Sequence, residues 1–163
     1  MSKDKAPVTP AVRQLRAAGV GFTDHLYEYE EKGGTAVSAR ELQVDEHSVV
    51  KTLVMEDQDC NPLVVLMHGD RQVSTRQLAR TLGVKTIQPC AAETARRHTG
   101  YEVGGTSPFG LRKPLPVYVE ASVLELPRIY INGGKRGYLV GMVPAELVRV
   151  LGPAPVQVAT DKD

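Results

Sequence analysis

Residues 49–67, VVKTLVMEDQDCNPLVVLM, determine the fold class of this chain. Two apolar runs, 49–55 and 62–67, are separated by the polar segment 56–61. Short apolar runs joined by a polar segment are typical of a buried antiparallel hairpin. We therefore predict two adjacent strands in the interior of a sheet.

Helix and strand signals surround this hairpin on both sides. Thr9 and Pro10 provide an N-cap and a first helical residue for a short amphipathic helix that Gly19 closes. Ser74 caps a second helix that runs to about Leu82. Further helices are predicted at 37–42, 93–98 and 144–151, and further strands at 22–29, 84–89, 117–119, 129–131 and 138–140.

The order of these elements indicates an α+β fold with a mixed or mainly antiparallel sheet, because the helices are scattered among the strands rather than alternating with them. We expect one domain over residues 1–163 with its core at about 8–152. Only the ends, 1–7 and 154–163, should be loose. The segment His68-Gly69-Asp70-Arg71 is interpreted as a turn.

The composition excludes several classes of protein. The chain has 163 residues, 42% of them hydrophobic, so it can bury a core without disulfides or a structural metal. Cys60 and Cys90 lie far apart and are expected to be free thiols. No segment approaches a membrane span, so we expect a cytoplasmic protein. The net charge of +1 creates no overall field for nucleic acid, so any RNA contact must be local.

Lys51 is the first candidate for chemistry, because it interrupts the apolar run 49–55. One interpretation is a strand lysine that faces solvent. In the alternation of a strand, however, Val49, Leu53 and Met55 share its side, which favours a lysine lining a polar cavity. Such a lysine could act as a cation beside a phosphate or carbonyl, or as a base if burial lowered its pKa.

Two glycine-rich segments are further candidates. Residues 100–110, GYEVGGTSPFG, contain adjacent glycines that let a backbone approach a ligand and offer bare N–H groups to an anion or a carbonyl. Residues 132–137, NGGKRG, add two cations. Each segment could also be a simple turn. Their presence together with Lys51 favours a shared pocket.

Metal and serine-triad chemistry are not expected. The four histidines show no HxH or HExxH spacing, and no serine lies in a GxSxG motif. We therefore predict no metal and no cofactor.

The segments around Lys51, 99–110 and 129–137, in this order and spacing, resemble the YbaK family, relatives of the insertion domain of bacterial prolyl-tRNA synthetase. The resemblance covers about residues 8–152. It implies a compact α+β fold whose six- or seven-stranded mixed sheet curls, barrel-like, around a pocket. It also implies metal-free release of a mischarged amino acid, typically cysteine on proline tRNA.

The resemblance also implies roles for individual residues. Lys51 would be the catalytic residue, near the terminal phosphate and the ester. The residues expected to contact substrate are Tyr27, Thr52, Gly104, Gly105, Ser107, Asn132, Gly133 and Gly134. The acceptor end of a mischarged tRNA is the expected ligand, with prolyl-tRNA synthetase as a protein partner.

Two positions depart from the cysteine-specific members of the family, which have serine in place of Asn132 and a small polar residue in place of Leu139. These positions line the amino-acid pocket in the family, so they leave the edited residue open. Two other functions also remain open: a non-catalytic module that binds aminoacyl-tRNA or a synthetase, and a nucleotide-binding enzyme that uses the glycine loops.

Overall fold

A computed structural model describes residues 5–161. The helices are α1 (Pro10–Ala17), α2 (Gly34–Leu42), α3 (Thr75–Leu82), α4 (Ala92–Thr99) and α5 (Pro144–Leu151). The strands are β1 (Thr23–Leu26), β2 (Val49–Asp57), β3 (Pro62–His68), β4 (Arg71–Val73), β5 (Ile87–Pro89), β6 (Val117–Glu120), β7 (Ile129–Lys135), β8 (Tyr138–Met142), β9 (Ala154–Val156) and β10 (Ala159–Asp161). Two short 3-10 helices cover Glu46–Ser48 and Ala121–Glu125.

One mixed sheet organises the molecule, in the order β1-β8-β7-β2-β3-β6-β9. Strand β5 adds to β2 outside this path, and β4 and β10 form a separate two-stranded ribbon. The predicted α+β class with a mixed sheet is confirmed. The sheet has eight strands rather than six or seven, and in the described residues its path ends at β1 and β9.

The predicted hairpin lies at the centre of this sheet. Strands β2 and β3 pair antiparallel from Val50 opposite His68 to Glu56 opposite Pro62. Their connection is held by the Asp57 carboxylate, which accepts hydrogen bonds from the backbone N–H groups of Asp59 and Asn61, both at 2.9 Å. A local side-chain acceptor thus fixes the turn that joins the two apolar runs.

Alternation along β3 divides the core into two layers. Val64 and Leu66 join the larger cluster, which contains residues of α1 and α5. Val65 and Met67 join a second cluster on the other face, with Leu78 of α3. Because successive side chains of a strand point to opposite faces, α1 and α3 cover opposite sides of the sheet.

Side-chain caps set the starts of two predicted helices. The Thr9 hydroxyl accepts a hydrogen bond from Val12 N at 3.1 Å, and the Ser74 hydroxyl accepts one from Gln77 N at 3.2 Å. Gly83 ends α3 in the left-handed conformation predicted for a C-cap. Both helices have the boundaries that their capping residues indicate.

Several predicted boundaries were wrong. The strand predicted at 22–29 is only Thr23–Leu26, because its pairing with β8 ends at Leu26 opposite Tyr138. The strand predicted at 84–89 is only Ile87–Pro89, and α2 begins three residues before its predicted start. His68 was placed in a turn, but it is the last residue of β3 and is buried.

The C-terminal segment was predicted to be loose, and this prediction is wrong for residues 154–161. Strand β9 pairs parallel with β6, and β10 pairs with β4. Val156 and Val158 are buried against the α3 layer, and the Glu120 carboxylate accepts a hydrogen bond from Val158 N at 2.7 Å. Residues 1–4 and 162–163 lie outside the described residues.

None of the helices in the described range 5–161 is long and apolar enough to cross a membrane.

Val158→Ala should lower the free energy of unfolding by about 2 kcal/mol, because it removes most of a buried side chain from the α3 layer. Urea unfolding measures this loss. Gln157→Ala is the matched control. The Gln157 side chain, next to Val158 in sequence, is exposed, so its replacement should change stability by less than about 0.5 kcal/mol. Equal stabilities for the two variants would contradict the docking of this segment.

Candidate functional site

The sheet contains a gap beside Lys51. Strand β2 pairs in parallel with β7 only at Val49 and Val50, and with β5 only from Met55 to Asp57. Along residues 51–54, no described strand pairs with that edge of β2. At the end of this stretch the Cys90 N–H donates to the Val54 carbonyl at 3.0 Å, so the gap covers residues 51–53, and we take it as the candidate site.

Lys51 stands at the start of the gap. It pairs across the hairpin with Met67, whose side chain belongs to the α3 layer, so Lys51 points to that same face. Its Nζ donates a hydrogen bond to the Gly69 carbonyl at 3.5 Å, and its side chain is half-buried. That this lysine lines a polar cavity stays a prediction.

Asn132 is the first residue of β7 after its pairing with β2 ends, because the last pair on these parallel strands is Val50 with Ile131. Its amide Oδ1 accepts hydrogen bonds from the backbone N–H groups of Gly134 at 2.6 Å and Lys135 at 3.1 Å. The same side chain donates from Nδ2 to the Gly104 carbonyl at 3.2 Å. Asn132 therefore joins the two glycine-rich segments at the edge of the gap.

The two glycine-rich segments lie in direct contact, as a shared pocket requires. Arg136 Nε donates to the Val103 carbonyl at 2.9 Å. A Cβ on Gly105 would lie 2.8 Å from the backbone nitrogen of Arg136, and one on Gly104 would lie 2.6 Å from the Tyr29 hydroxyl. Gly104 also has a φ of +87°, so a side chain is disfavoured there on both counts.

Tyr27, which follows β1, and Leu139 of β8 lie beyond β7 from the gap. Leu139 is 4% exposed and packs with Val49 and Ala39, while Tyr27 and Tyr130 pack against this cluster. Burial raises the pKa of the Tyr27 phenol, partly offset by a backbone interaction with Gly137. A cavity of about 690 Å³ opens beside Tyr27 and the 135–138 turn, and Lys51 is not among its lining residues.

The other predicted contact residues occupy less accessible positions. Thr52 lies opposite Leu66 and so points to the α1 face, where its Oγ1 is buried without a hydrogen-bond partner in the described residues. Ser107 is fully buried, and its hydroxyl accepts a hydrogen bond from Phe109 N at 3.2 Å. Gly133 and Gly134 face the rings of Tyr138 and Tyr101. Their roles as substrate contacts stay predictions.

A family model for the aminoacyl-tRNA editing domain matches residues 30–150, which include the β2 gap and both glycine-rich segments. The chain belongs to this family.

Relatives of the editing domain are found both as separate proteins and within synthetases. The chain is 25% identical over 153 residues to "Putative Cys-tRNA(Pro)/Cys-tRNA(Cys) deacylase EbsC" of Enterococcus faecalis, covering 93% of each. It is 31% identical over 104 residues to the proline–tRNA ligase of Streptococcus equi subsp. equi, covering 63% of this chain and 17% of the ligase. The fold is similar to that in the "crystal structure of a putative trans-editing enzyme for prolyl tRNA synthetase", with a TM-score of 0.78 and 21% identity over 96% of this chain and all of that one.

Tyr29 lies beyond the end of β1 and is not among the residues that the sequence predicts for the site of this editing domain. Its hydroxyl faces Gly104, and the Arg136 guanidinium lies 5.2 Å from its ring centroid. Tyr29 was hidden in a segment assigned as a strand. Its alternation with Tyr27 was the one available signal.

A histidine pair beside Lys51 was also missed, because its members are distant in sequence. The rings of His47 and His68 stack with centroids 3.7 Å apart and planes inclined by 7°. His68 Nδ1 donates to the His47 carbonyl at 2.7 Å, so in the neutral ring Nε2 accepts from the Ser122 hydroxyl at 2.7 Å. The pKa of His68 is lowered overall. Burial is the main cause, and the hydrogen bond to the His47 carbonyl offsets it in part.

Asp70 completes this cluster by accepting a hydrogen bond from His47 Nδ1 at 2.8 Å. Burial opposes ionisation of Asp70, but its hydrogen bond and charge interaction with His47 and the charge of Arg71 lower its pKa overall. The cluster holds both neighbours of Gly69, the residue whose carbonyl contacts Lys51. It therefore supports the position of the lysine indirectly.

His47, His68 and Asp70 also offer potential metal-ligand atoms within 4.8 Å of one another. A metal bonds to imidazole in the plane of the ring. Two nearly parallel stacked rings have no common in-plane point close to both nitrogens, and His68 already uses both of its nitrogens in hydrogen bonds. The observed arrangement therefore suits a hydrogen-bonded cluster, and a metal would require the rings to turn.

Stability should fall as the pH drops below about 6.5, the ordinary pKa of histidine, because the unfolded chain then binds a proton that native His68 does not. His25 and His98, whose pKa values burial also lowers, add to the same dependence. Urea unfolding at pH 7.5 and 5.5 measures the loss. His68→Asn should reduce the pH dependence, and an unchanged dependence in this variant would contradict the assignment.

Proposed function

We propose that this chain is a free-standing deacylase that releases a mischarged amino acid, cysteine, from proline tRNA. The observation that carries the proposal is the position of Lys51 and Asn132 just beyond the last β2–β7 pair, with Asn132 hydrogen-bonded to the Gly104 carbonyl of the other glycine-rich segment. Similarity to the relative named as a deacylase over 93% of both chains supports a complete activity outside a synthetase.

In this proposal Lys51 supplies a fixed positive charge. Its Nζ donates a hydrogen bond to the Gly69 carbonyl at 3.5 Å, and Leu53 and Met55 follow it on the same face of the strand. An ammonium placed beside the terminal phosphate and the ester would orient the substrate and stabilise charge that develops at the carbonyl oxygen. We propose that Lys51 acts as a cation and not as a general base.

The backbone at Gly104 and Gly105 would face the scissile carbonyl, with Gly104 as the proposed N–H donor, because the Gly105 N–H already donates to the Glu102 carbonyl at 2.8 Å. Gly104 is exposed at the tip of its loop and lacks a side chain that could block a ligand. Backbone N–H groups aimed at a developing oxyanion contribute strongly to acyl-transfer catalysis because they need no reorganisation. The Asn132 hydrogen bond to Gly104 would keep this loop in place.

The amino-acid pocket would be largely apolar. Leu139 lies opposite Asn132 on the neighbouring strand and is buried with Tyr27 and Tyr130 around it. A thiol can enter such surroundings as a small, weakly polar group, whereas a serine hydroxyl would lose its hydrogen bonds to water. If the amino acid is held against this apolar cluster, cysteine is favoured over serine as the residue removed.

The proposed chemical step uses the nucleophile of the substrate itself. The cysteinyl thiolate forms a bond to the ester carbonyl carbon, the bond from that carbon to the ribose oxygen breaks, and the ribose oxygen takes up a proton. The product is a thiolactone, which water later opens to cysteine. A thiol is partly ionised near pH 7 and intrinsically nucleophilic, so positioning can supply most of the acceleration.

A second route remains compatible with the same pocket. Leu139 would also accept an alanyl side chain. Because alanine has no nucleophilic side chain, hydrolysis of the alanyl ester would need water as the nucleophile. The two routes differ in their products, which makes them separable.

We also propose that a synthetase selects the tRNA. Proline–tRNA ligases contain a segment similar to this chain, over 17% of the Streptococcus equi enzyme. A free-standing chain with a formal net charge of +1 would gain by acting beside such a partner, because it lacks the overall field that concentrates RNA.

Lys51→Ala should reduce deacylation of cysteinyl-tRNA(Pro) by at least about 100-fold while the chain still folds, because it removes the ammonium proposed to act on the ester. Lys51→Arg should also be impaired, since a planar guanidinium cannot replace a compact ammonium. Release of labelled amino acid measures both. Lys113→Ala, at an exposed position, is the control, and full activity of Lys51→Ala would overturn the proposed site.

The products should distinguish the two nucleophiles. Cysteinyl-tRNA quenched early should give a thiolactone, and seryl-tRNA should be cleared at least about tenfold more slowly because its hydroxyl is barely ionised. Mass spectrometry of the released products tests this. Efficient release of free alanine from alanyl-tRNA, with no thiolactone from the cysteinyl ester, would establish the water route instead.

A further inference from the structure

Basic residues are segregated along the chain. Residues 71–92 contain Arg71, Arg76, Arg80 and Lys85 and no acidic residue. The rest of the chain holds sixteen of the twenty basic residues and all nineteen acidic ones, a formal charge of −3. The net charge of +1 therefore conceals a positive region centred on α3.

The structure gathers three of these cations around one groove. Arg76 and Arg80 lie one turn apart on α3, and Lys85 follows the helix. The groove has a volume of about 440 Å³, and its other lining residues are Thr75, Thr86 and the apolar Ala79, Val84 and Ile87. No acidic side chain lines it.

These cations have no ionic partner within residues 5–161. Arg71 is paired with Asp161, but no ion pair is formed by Arg76, Arg80 or Lys85, and all three side chains are exposed. Surface cations that merely solvate a protein are commonly interspersed with acids. Three unpaired cations and two hydroxyl-bearing residues along one groove suit a row of phosphates.

The groove opens on the Lys51 side of the molecule. Lys51 and α3 share one face of the sheet, and Ile87 of the groove pairs with Asp57, six residues beyond Lys51 on β2. At about 3.3 Å per residue, the separation along β2 is roughly 20 Å. One strand of a duplex advances about 3.4 Å per nucleotide, so this distance corresponds to on the order of six nucleotides.

We propose that this groove binds the sugar-phosphate backbone of the tRNA acceptor arm, several nucleotides from the ester. The inference rests on the proposed function for the identity of the RNA. It gives the chain a local RNA contact that does not depend on its net charge, and it requires no base-specific readout.

The test measures binding of uncharged tRNA(Pro) by fluorescence anisotropy between 50 and 200 mM salt, using the full chain. Arg76→Ala/Arg80→Ala should weaken binding by about tenfold at the lowest salt. It should also reduce the slope of log affinity against log salt by about 1.4 to 1.8, the effect of two lost phosphate contacts.

The matched control is Arg13→Ala/Arg16→Ala. These two exposed arginines lie one turn apart on α1, on the opposite face of the sheet, and their loss changes the net charge equally. Their replacement should change affinity by less than about twofold. Equal losses of affinity in the two double variants would show a general charge effect and overturn the proposal that the groove binds RNA. Unchanged binding in the α3 variant would also overturn it.

Steady-state kinetics tests RNA binding by the groove and deacylation at Lys51 separately, so the failure of one proposal can be distinguished from the failure of the other. With cysteinyl-tRNA(Pro), the α3 variant should raise KM about tenfold and leave kcat unchanged, whereas Lys51→Ala should lose kcat and retain tRNA binding. A cysteinyl ester of the trinucleotide CCA should be too short to reach the groove and should be cleaved equally by wild type and the α3 variant. Loss of trinucleotide cleavage in that variant would overturn the proposal, while binding of uncharged tRNA tests the groove even if no ester is cleaved.

Discussion

The separation of β2 from β7 after Val50 is the constraint on which the rest of the site depends. If the two strands remained paired, Asn132 and the residues after it would be fixed alongside residues 51–53, and no gap would exist in the sheet. Because they separate, β7 can bend through its irregular segment at 132–135 and bring its glycines against the 100–110 loop. The energetic cost of the lost pairing is limited to a few residues, since β5 resumes it at Met55.

Local signals were sufficient for most of the fold. The apolar runs of β2 and β3, the Thr9 and Ser74 caps and the proline that begins α5 all carry their information within a few residues, and these elements lie where the sequence placed them. The failures are non-local. Residues 154–161 look unremarkable in sequence, and they are ordered by β6, β4 and the Glu120 carboxylate, none of which their own sequence indicates.

The site shows the same division. Lys51 stood out because an ammonium in an apolar strand is unusual, and the glycine pairs stood out because of their composition. The stacked histidines could not be found from spacing, since His47 and His68 come together only through the β2–β3 hairpin and the turn at Gly69. Alternation explains why Thr52 and Lys51, although adjacent, face opposite sides of the sheet.

Net charge is a poor guide to whether a domain of this size can contact RNA. At physiological ionic strength, interactions between exposed charges are largely screened beyond about 8 Å, so a phosphate at α3 responds to the cations around it and only weakly to acids on the far side of the sheet. What matters is whether several cations without local acidic partners line one groove. Arg40 and Arg149 lie beside glutamates that offset their charge, whereas the α3 cations have no such neighbours in the described chain. A nearly neutral protein can thus combine little general attraction for nucleic acid with one surface that holds a phosphate backbone, and the orientation of that surface relative to Lys51 then determines which part of a bound tRNA reaches the gap.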